Sequence, residues 1–356
     1  MKRILLSALV LSFGLATADA SAQVNLVYNN SFNSADVQTG VIADVWIKRI
    51  QEATNGRVKI RHVCCAALLK AEGTLEGVRK GVADIGAVSV VYHIGELPIS
   101  AALAGSFDAE YGNKLDLFGV TAITVKLYQE FPEFQKEYRD LGVRPGLLLP
   151  AGQYSLIGKA KIATVADFKD KKIRAFGSSL PKFFESLGAV PMAVAFGELY
   201  TSLQTGVIDS LITNPTAMVA AGLHEVSKFA LTTGPGLGTS MAGATVSYTI
   251  NQKSWDKIAP RDQAIIERVT AAMEPIGANM MTEGTAKTYV DLEKAGVKVL
   301  HLSMDEMLKV KKMAPDFFKR EEDRLNKRGL PGTKLYARYR ELADAYAAGE
   351  WKPWSF

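Results

Sequence analysis

The sequence predicts an α/β protein built as two similar lobes, and three observations carry that prediction. Apolar strand patterns alternate with amphipathic helical ones along the chain. A unit of helix, glycine, valine, aspartate and strand occurs twice, at Leu75 to Ile85 and at Leu199 to Ser210. Two stretches rich in Pro and Gly, Pro150-Ala151-Gly152-Gln153 and Gly234-Pro235-Gly236-Leu237-Gly238, mark where the chain crosses between lobes.

The elements follow in order. Asn25–Tyr28 is an apolar strand, and Asp36 to Thr54 is an amphipathic helix with Val37, Val41, Val45 and Ile50 on one face. Val58–Val63 alternates as a strand. Glu72–Lys80 is a helix ending at Gly81, and Ile85–Val91 is an apolar strand. Leu147-Leu148-Leu149 is the strand that breaks into the first crossing. From Arg261 to Ala295 the pattern is helical, interrupted only by Pro275, Gly277 and Gly284, and a helix of that length spans both lobes. These divide the chain into residues 1–22, a first lobe of 23–150 plus 240–275, a second lobe of 151–239 plus 276–332, and a C-terminal helical extension, 333–356, packing on the lobes.

Residues 1–22 read as a cleavable export signal. Met1-Lys2-Arg3 is a cationic start, Ile4 to Ala16 is apolar, and Ala20-Ser21-Ala22 is a small-residue cleavage site, with cleavage after Ala22. The apolar run is shorter than a membrane span needs, and no cysteine follows it to take a lipid anchor. The mature chain is expected to be exported. The full sequence has a formal charge of +5, falling to +4 when Lys2, Arg3 and Asp19 leave with the signal, and its Lys and Arg are interspersed with Asp and Glu rather than forming a basic stripe, which excludes nucleic acid as the expected partner.

Cys64 and Cys65 are the only cysteines, and they are adjacent. Neighbouring Cα atoms lie about 3.8 Å apart, short of the usual disulfide range, so packed thiols at the end of the Val58–Val63 strand are the expectation. A strained vicinal disulfide and a reactive thiol remain as alternatives.

The most informative stretch is Lys172-Ile173-Arg174-Ala175-Phe176-Gly177-Ser178-Ser179, read with Gly206-Val207-Ile208-Asp209 through Thr213-Asn214-Pro215. One strand carries an arginine into a Gly-Ser-Ser turn and a helix start; a second ends in an asparagine just before another helix. This places a guanidinium and an amide along one sheet edge, where an anion binds.

Glu198-Leu199-Tyr200-Thr201-Ser202-Leu203-Gln204-Thr205-Gly206-Val207-Ile208-Asp209, followed by Asn214-Pro215 and preceded by Lys172-Ile173-Arg174, resembles the substrate-binding proteins of tripartite ATP-independent periplasmic (TRAP) transporters. The resemblance covers nearly the whole mature chain. It implies a periplasmic two-lobe, Venus-flytrap fold of the type II kind that closes on a small organic acid, usually a carboxylate. It also implies integral-membrane TRAP subunits as partners, ion-gradient-driven uptake, a monomer, and no cofactor.

By the same resemblance, Arg174 forks onto the ligand carboxylate, a geometry that lysine does not reproduce. Asn214 donates to that carboxylate, caps the helix before Pro215, or does both. Phe196 walls the pocket or simply packs in the core. Asn30 and Ser89 match pocket-lining positions of the first lobe, where turn or capping roles fit equally. Gln153 and Tyr154 stand where many relatives carry an arginine, so a second cationic contact is not expected. Thr213 stands where many relatives have a carboxylate.

Catalysis forms a separate class. His62, His93, His224 and His301 show no metal-ligand spacing, and no phosphate loop or complete nucleophile elbow occurs. Neither a metal site nor an enzyme is expected. The alternatives are a binding protein of an ATP-driven importer and an exported enzyme on the same scaffold.

Overall fold

The computed structural model describes residues 23–104, 114–150, 154–177, 180–232, 245–313 and 316–354. Along the chain come β1 (Val24–Asn29), β2 (Val58–Val63), β3 (Ile85–Ser89), β4 (Val143–Pro150), β5 (Ser155–Gly158), β6 (Lys172–Arg174), β7 (Val190–Met192), β8 (Ser210–Thr213), β9 (Phe229–Thr232), β10 (Thr245–Asn251) and β11 (Lys298–His301). Among the described residues they form a five-stranded sheet ordered β2-β1-β3-β10-β4 and a six-stranded sheet ordered β11-β9-β5-β8-β6-β7.

The two sheets share one plan. Read from β7, the second runs β7-β6-β8-β5-β9, with β6 parallel to β7 and β8 as β1 is parallel to β2 and β3. The duplicated unit sits at equivalent places: the helices Thr74–Arg79 and Leu199–Thr205 lead into β3 and β8, each third in its sheet. One strand in each sheet comes from chain that has just left the other. β5 follows β4 and pairs antiparallel with β8 and β9; β10 follows β9 and pairs antiparallel with β3 and β4. Both expected crossings therefore separate strands of different sheets. The crossing residues around Gly152 and Gly236 lie outside the described residues.

The long helix, Pro260–Lys294, starts with proline at its first position, where the missing N–H costs nothing. At about 1.5 Å per residue it reaches roughly 50 Å. It packs on the helices Ile42–Ala53 and Leu117–Glu130 and on β4, then on the helix Pro215–Ala220 and β11. It thus touches both sheets, as its length predicts.

Each sheet carries its own core. Tyr28, Trp46, Tyr248 and Met273 are buried on the first sheet, and Phe168, Phe184, Ile212 and Leu231 on the second. The helix Phe317–Lys327, expected with the second lobe as part of 276–332, packs instead on Pro98–Leu103. Leu325 is fully buried in the cluster that also holds Phe134, Tyr138 and Tyr336. Arg324 Nη2 donates to the Pro98 carbonyl at 2.9 Å. The helix Gly332–Ala347 packs on Leu117–Glu130, so the extension covers the first sheet's side. An amphipathic pattern shows that a helix covers something without showing which lobe, and this accounts for the misplacement.

The expectation of packed thiols is corrected as well. Cys64 and Cys65 are joined to each other as a vicinal disulfide in the loop after β2. Cys65 and Ala66 beside it take the left-handed conformation, with φ of 64° and 55°. The Cys65 N–H donates to the Phe32 carbonyl at 3.0 Å, tying this loop to the segment after β1.

Candidate functional site

Arg174 and Ser89 end β6 and β3, and Asn214 and Asn30 directly follow the ends of β8 and β1. All four strands are central and mutually parallel within their sheets, so their carboxyl ends open onto the crevice where α/β sheets bind ligands. Arg174, Asn214, Phe196, Tyr154 and Ser89 are brought together as walls of one cleft between the two sheets. Asn30 is not among its lining residues. It is fully buried behind the rim, where Oδ1 accepts from the Phe32 N–H at 2.9 Å, and its Nδ2 has no hydrogen-bond partner among the described residues. Gln153 lies outside the described residues.

Arg174 is 2% exposed. Its Nε donates to the Val194 carbonyl at 3.1 Å, Nη1 to the Ile212 carbonyl at 3.5 Å, and Nη2 to the Tyr92 hydroxyl at 3.0 Å. Its guanidinium carbon stands 4.6 Å from the centre of the Phe176 ring. These contacts aim and hold the fork, yet none is a carboxylate. Among the described residues the buried cation has no ion-pair partner. Burying an ion costs several kcal/mol unless a counter-charge offsets it, so the site favours an anion.

Asn214 caps the helix Pro215–Ala220: Oδ1 accepts from the Thr216 N–H at 2.7 Å and the Ala217 N–H at 3.3 Å. Its amide nitrogen points the other way, donating to Asp36 Oδ2 at 3.3 Å and Gln38 Oε1 at 3.5 Å. Capping uses the oxygen, and the amide protons reach across to Asp36 and Gln38 in the wall of the cleft.

Aromatic rings from both sheets' sides make the apolar wall. Phe196 meets Phe32 edge-on at 4.8 Å, and Phe176 packs against Tyr154 at 5.6 Å and Tyr92 at 6.4 Å. Burial pushes the Tyr154 hydroxyl well above its ordinary pKa, so it stays a neutral donor.

Sequence reasoning missed Phe32, Asp36, Gln38 and Tyr92, all lining residues from the first lobe. Asp36 reads locally as the start of a helix, and it does cap one: Oδ1 accepts from the Thr39 N–H at 2.9 Å. Its second oxygen reaches the other lobe. Burial raises the Asp36 pKa, against the lowering effect of hydrogen bonds from Thr39, Thr216 and Asn214. Tyr92 lies three residues past Ser89 in a short helical turn, and that spacing is the one local signal that it shares the strand-end rim.

Among the described residues no helix is long and apolar enough to cross a membrane, and no group of acidic, His or Cys side chains could hold a metal ion.

The chain is similar over most of its length to known solute-binding proteins. It is 25% identical over 316 residues to a solute-binding protein of Albidiferax ferrireducens, covering 84% of this chain and 86% of that protein. It is 26% identical over 287 residues to a monocarboxylate 2-oxoacid-binding periplasmic protein of Nostoc, covering 79% and 74%. The fold matches that of a TRAP solute-binding protein from Rhodoferax ferrireducens solved with copurified benzoate, with a TM-score of 0.83 at 18% identity, over 92% of this chain and 99% of the other. It also matches a TRAP periplasmic solute-binding protein from Bordetella bronchiseptica with bound mandelate, with a TM-score of 0.78 at 21% identity, over 90% and 99%. The model of the bacterial extracellular solute-binding proteins, family 7, matches residues 29–322, a span that contains β2 to β11, the last residue of β1 and the residues lining the cleft. The chain therefore belongs to family 7 of the bacterial extracellular solute-binding proteins.

Proposed function

We propose that this protein captures a small monocarboxylate with an apolar body in the interlobe cleft and delivers it to the integral-membrane subunits of a TRAP transporter. The observation that carries the reading is Arg174, a buried guanidinium without a carboxylate partner among the described residues, walled by Phe176, Tyr92 and Tyr154. A carboxylate takes the free donors of the fork in charge-assisted bonds, and the rings cover the rest of the solute. Asn214, Phe196, Ser89 and Tyr154 complete the contacts.

Arg174 is the one cation among the described lining residues, and Asp36 is a carboxyl group in the same wall. A second carboxylate on the solute meets no counter-charge there and faces Asp36, which favours monoacids over diacids. The 2-oxoacid-binding relative from Nostoc and the benzoate-bound and mandelate-bound structures support the same class.

The chain works in the periplasm as a monomer after cleavage behind Ala22, and it releases its solute chemically unchanged. The vicinal disulfide supports an oxidising compartment. Mass spectrometry of the acid released from the purified protein, followed by a thermal-shift panel of mono- and dicarboxylates, tests the reading. A retained or preferred diacid overturns the monoacid assignment, and recovery of a converted product puts an enzyme in its place.

A further inference from the structure

We propose that Asp36 is the latch of the closed cleft, a positioning residue that fastens one lobe to the other without contacting the solute. Its carboxylate has about four acceptor directions, and all are taken. Oδ1 accepts from the Thr39 N–H at 2.9 Å and the Thr39 hydroxyl at 2.8 Å, both on the first lobe. Oδ2 accepts from the Thr216 hydroxyl at 3.0 Å and from Asn214 Nδ2 at 3.3 Å, both on the second. The Thr216 hydroxyl has one proton and two acceptors in reach, Asp36 Oδ2 and, at 2.7 Å, Asn214 Oδ1. Asn214 Oδ1 is already supplied by two backbone N–H groups, so the proton goes to Asp36. No lone pair remains for a solute, which separates this residue from Arg174.

The first pair of bonds is local and survives when the lobes part. The second pair exists only when they meet. Asp36, Asn214 and Thr216 are each nearly fully buried, so on closing Oδ2 exchanges water for these two donors or is left without partners. A latch of this kind holds one register of closure and slows reopening.

The long helix is shaped around it. A side-chain carbon added at Gly284 meets Val37 Cγ2 at 2.8 Å and Thr216 Cγ2 at 3.2 Å, the neighbour of the latch on one lobe and its partner on the other. The lack of a side chain at 284 lets both sit against one point of the helix that spans the lobes.

The inference rests on the capture reading and is tested separately from it. The mature protein, Thr216→Val, Asp36→Asn and the double variant are compared for release of pyruvate, benzoate and pyroglutamate by stopped flow. Thr216→Val keeps the shape and leaves the Thr39 cap untouched; Asp36→Asn keeps one capping oxygen and turns Oδ2 into a donor facing donors. Each single variant is expected to release every bound acid about tenfold faster, with the rank order of the acids preserved and the double variant no faster than the faster single. An altered rank order makes Asp36 a solute contact, and either additive losses or unchanged release removes the latch. If none of the three acids binds the parent, the carboxylate reading fails on its own. The latch is then decided with the solute that mass spectrometry recovers from the purified protein, where Thr216→Val must speed its release and an unchanged release rate overturns it.

Discussion

Arg174 Nη2 donates to the Tyr92 hydroxyl at 3.0 Å, a bond from the end of a strand in the second sheet to the turn after a strand in the first. The residue expected to grip the solute is therefore also held from the opposite lobe. Both roles depend on the planar fork. Removing one partner of a desolvated charge pair typically costs about 2–5 kcal/mol, so Arg174→Ala is expected to weaken binding of a cognate monocarboxylate by roughly thirtyfold or more. Arg174→Lys restores the charge without the fork and recovers only part. Calorimetry that finds Arg174→Ala within about threefold of the parent removes the carboxylate clamp, since that is under about 0.7 kcal/mol.

Asn214 separates capping from recognition in one substitution. Asn214→Asp keeps an oxygen for the Thr216 and Ala217 N–H groups but removes the amide donor and sets a second carboxylate beside Asp36. Its affinity should fall well below the parent's. Asn214→Ala loses the cap too, at a stability cost of about 1 kcal/mol. If Asn214→Asp binds monocarboxylates as tightly as the parent, the donor plays no part in the cleft.

The strand ends were legible because the chemistry sits where the local pattern changes. Arg174 before a glycine turn and Asn214 before a helix-starting proline announce both the end of a strand and a polar group at the sheet edge. Asp36 announces only a helix start and Tyr92 only its spacing from Ser89, since what matters about each is a partner far along the chain: Thr216 Oγ1 for one, Arg174 for the other. The same limit misplaced the helix Phe317–Lys327, whose apolar face looks alike whichever lobe it covers. Adjacent cysteines gave spacing arguments against a bridge, yet the pair is bonded, in a loop with left-handed residues at Cys65 and Ala66. The duplicated unit was the most reliable pattern, because two sheets of one strand order demand two equivalent helix-to-strand turns.

The bonded cysteines predict a thiol count. Ellman's reagent should find no reactive thiol in the mature protein unfolded without reductant, and two after reduction, matching the two cysteines of the chain. Two thiols before reduction would restore the packed-thiol reading. Because the Cys65 N–H bonds to the carbonyl of Phe32, which meets Phe196 across the cleft, reduction should also weaken binding of the acid.

Glu274 lies on the long helix beside Pro275, where burial alone pushes its carboxyl up to about 7 from an ordinary 4.5. The folded protein thus holds this proton more tightly than the unfolded chain does. Its contribution to stability is full below about pH 4.5 and is lost as the pH rises through about 7. Glu274→Gln, neutral throughout, should show a smaller fall in urea midpoint between pH 5 and pH 7.5 than the parent. Equal falls in the two proteins would assign the slope to other groups.

On the capture reading, closure is the step on which binding depends, because the residues lining the cleft come from both lobes. Ligand binding must then carry a change of shape, and the free energy that drives it is the difference in affinity between open and shut forms. Saturating monocarboxylate should reduce the radius of gyration measured by small-angle scattering and raise the melting temperature with ligand concentration. Gly284→Ala should oppose both effects. Its added carbon presses on Val37 from the first lobe and Thr216 from the second, and parting the lobes would relieve both contacts. The expected outcome is a variant that folds, binds more weakly and stays more expanded at saturation. A variant that contracts as fully as the parent places the meeting point of the lobes elsewhere on the helix.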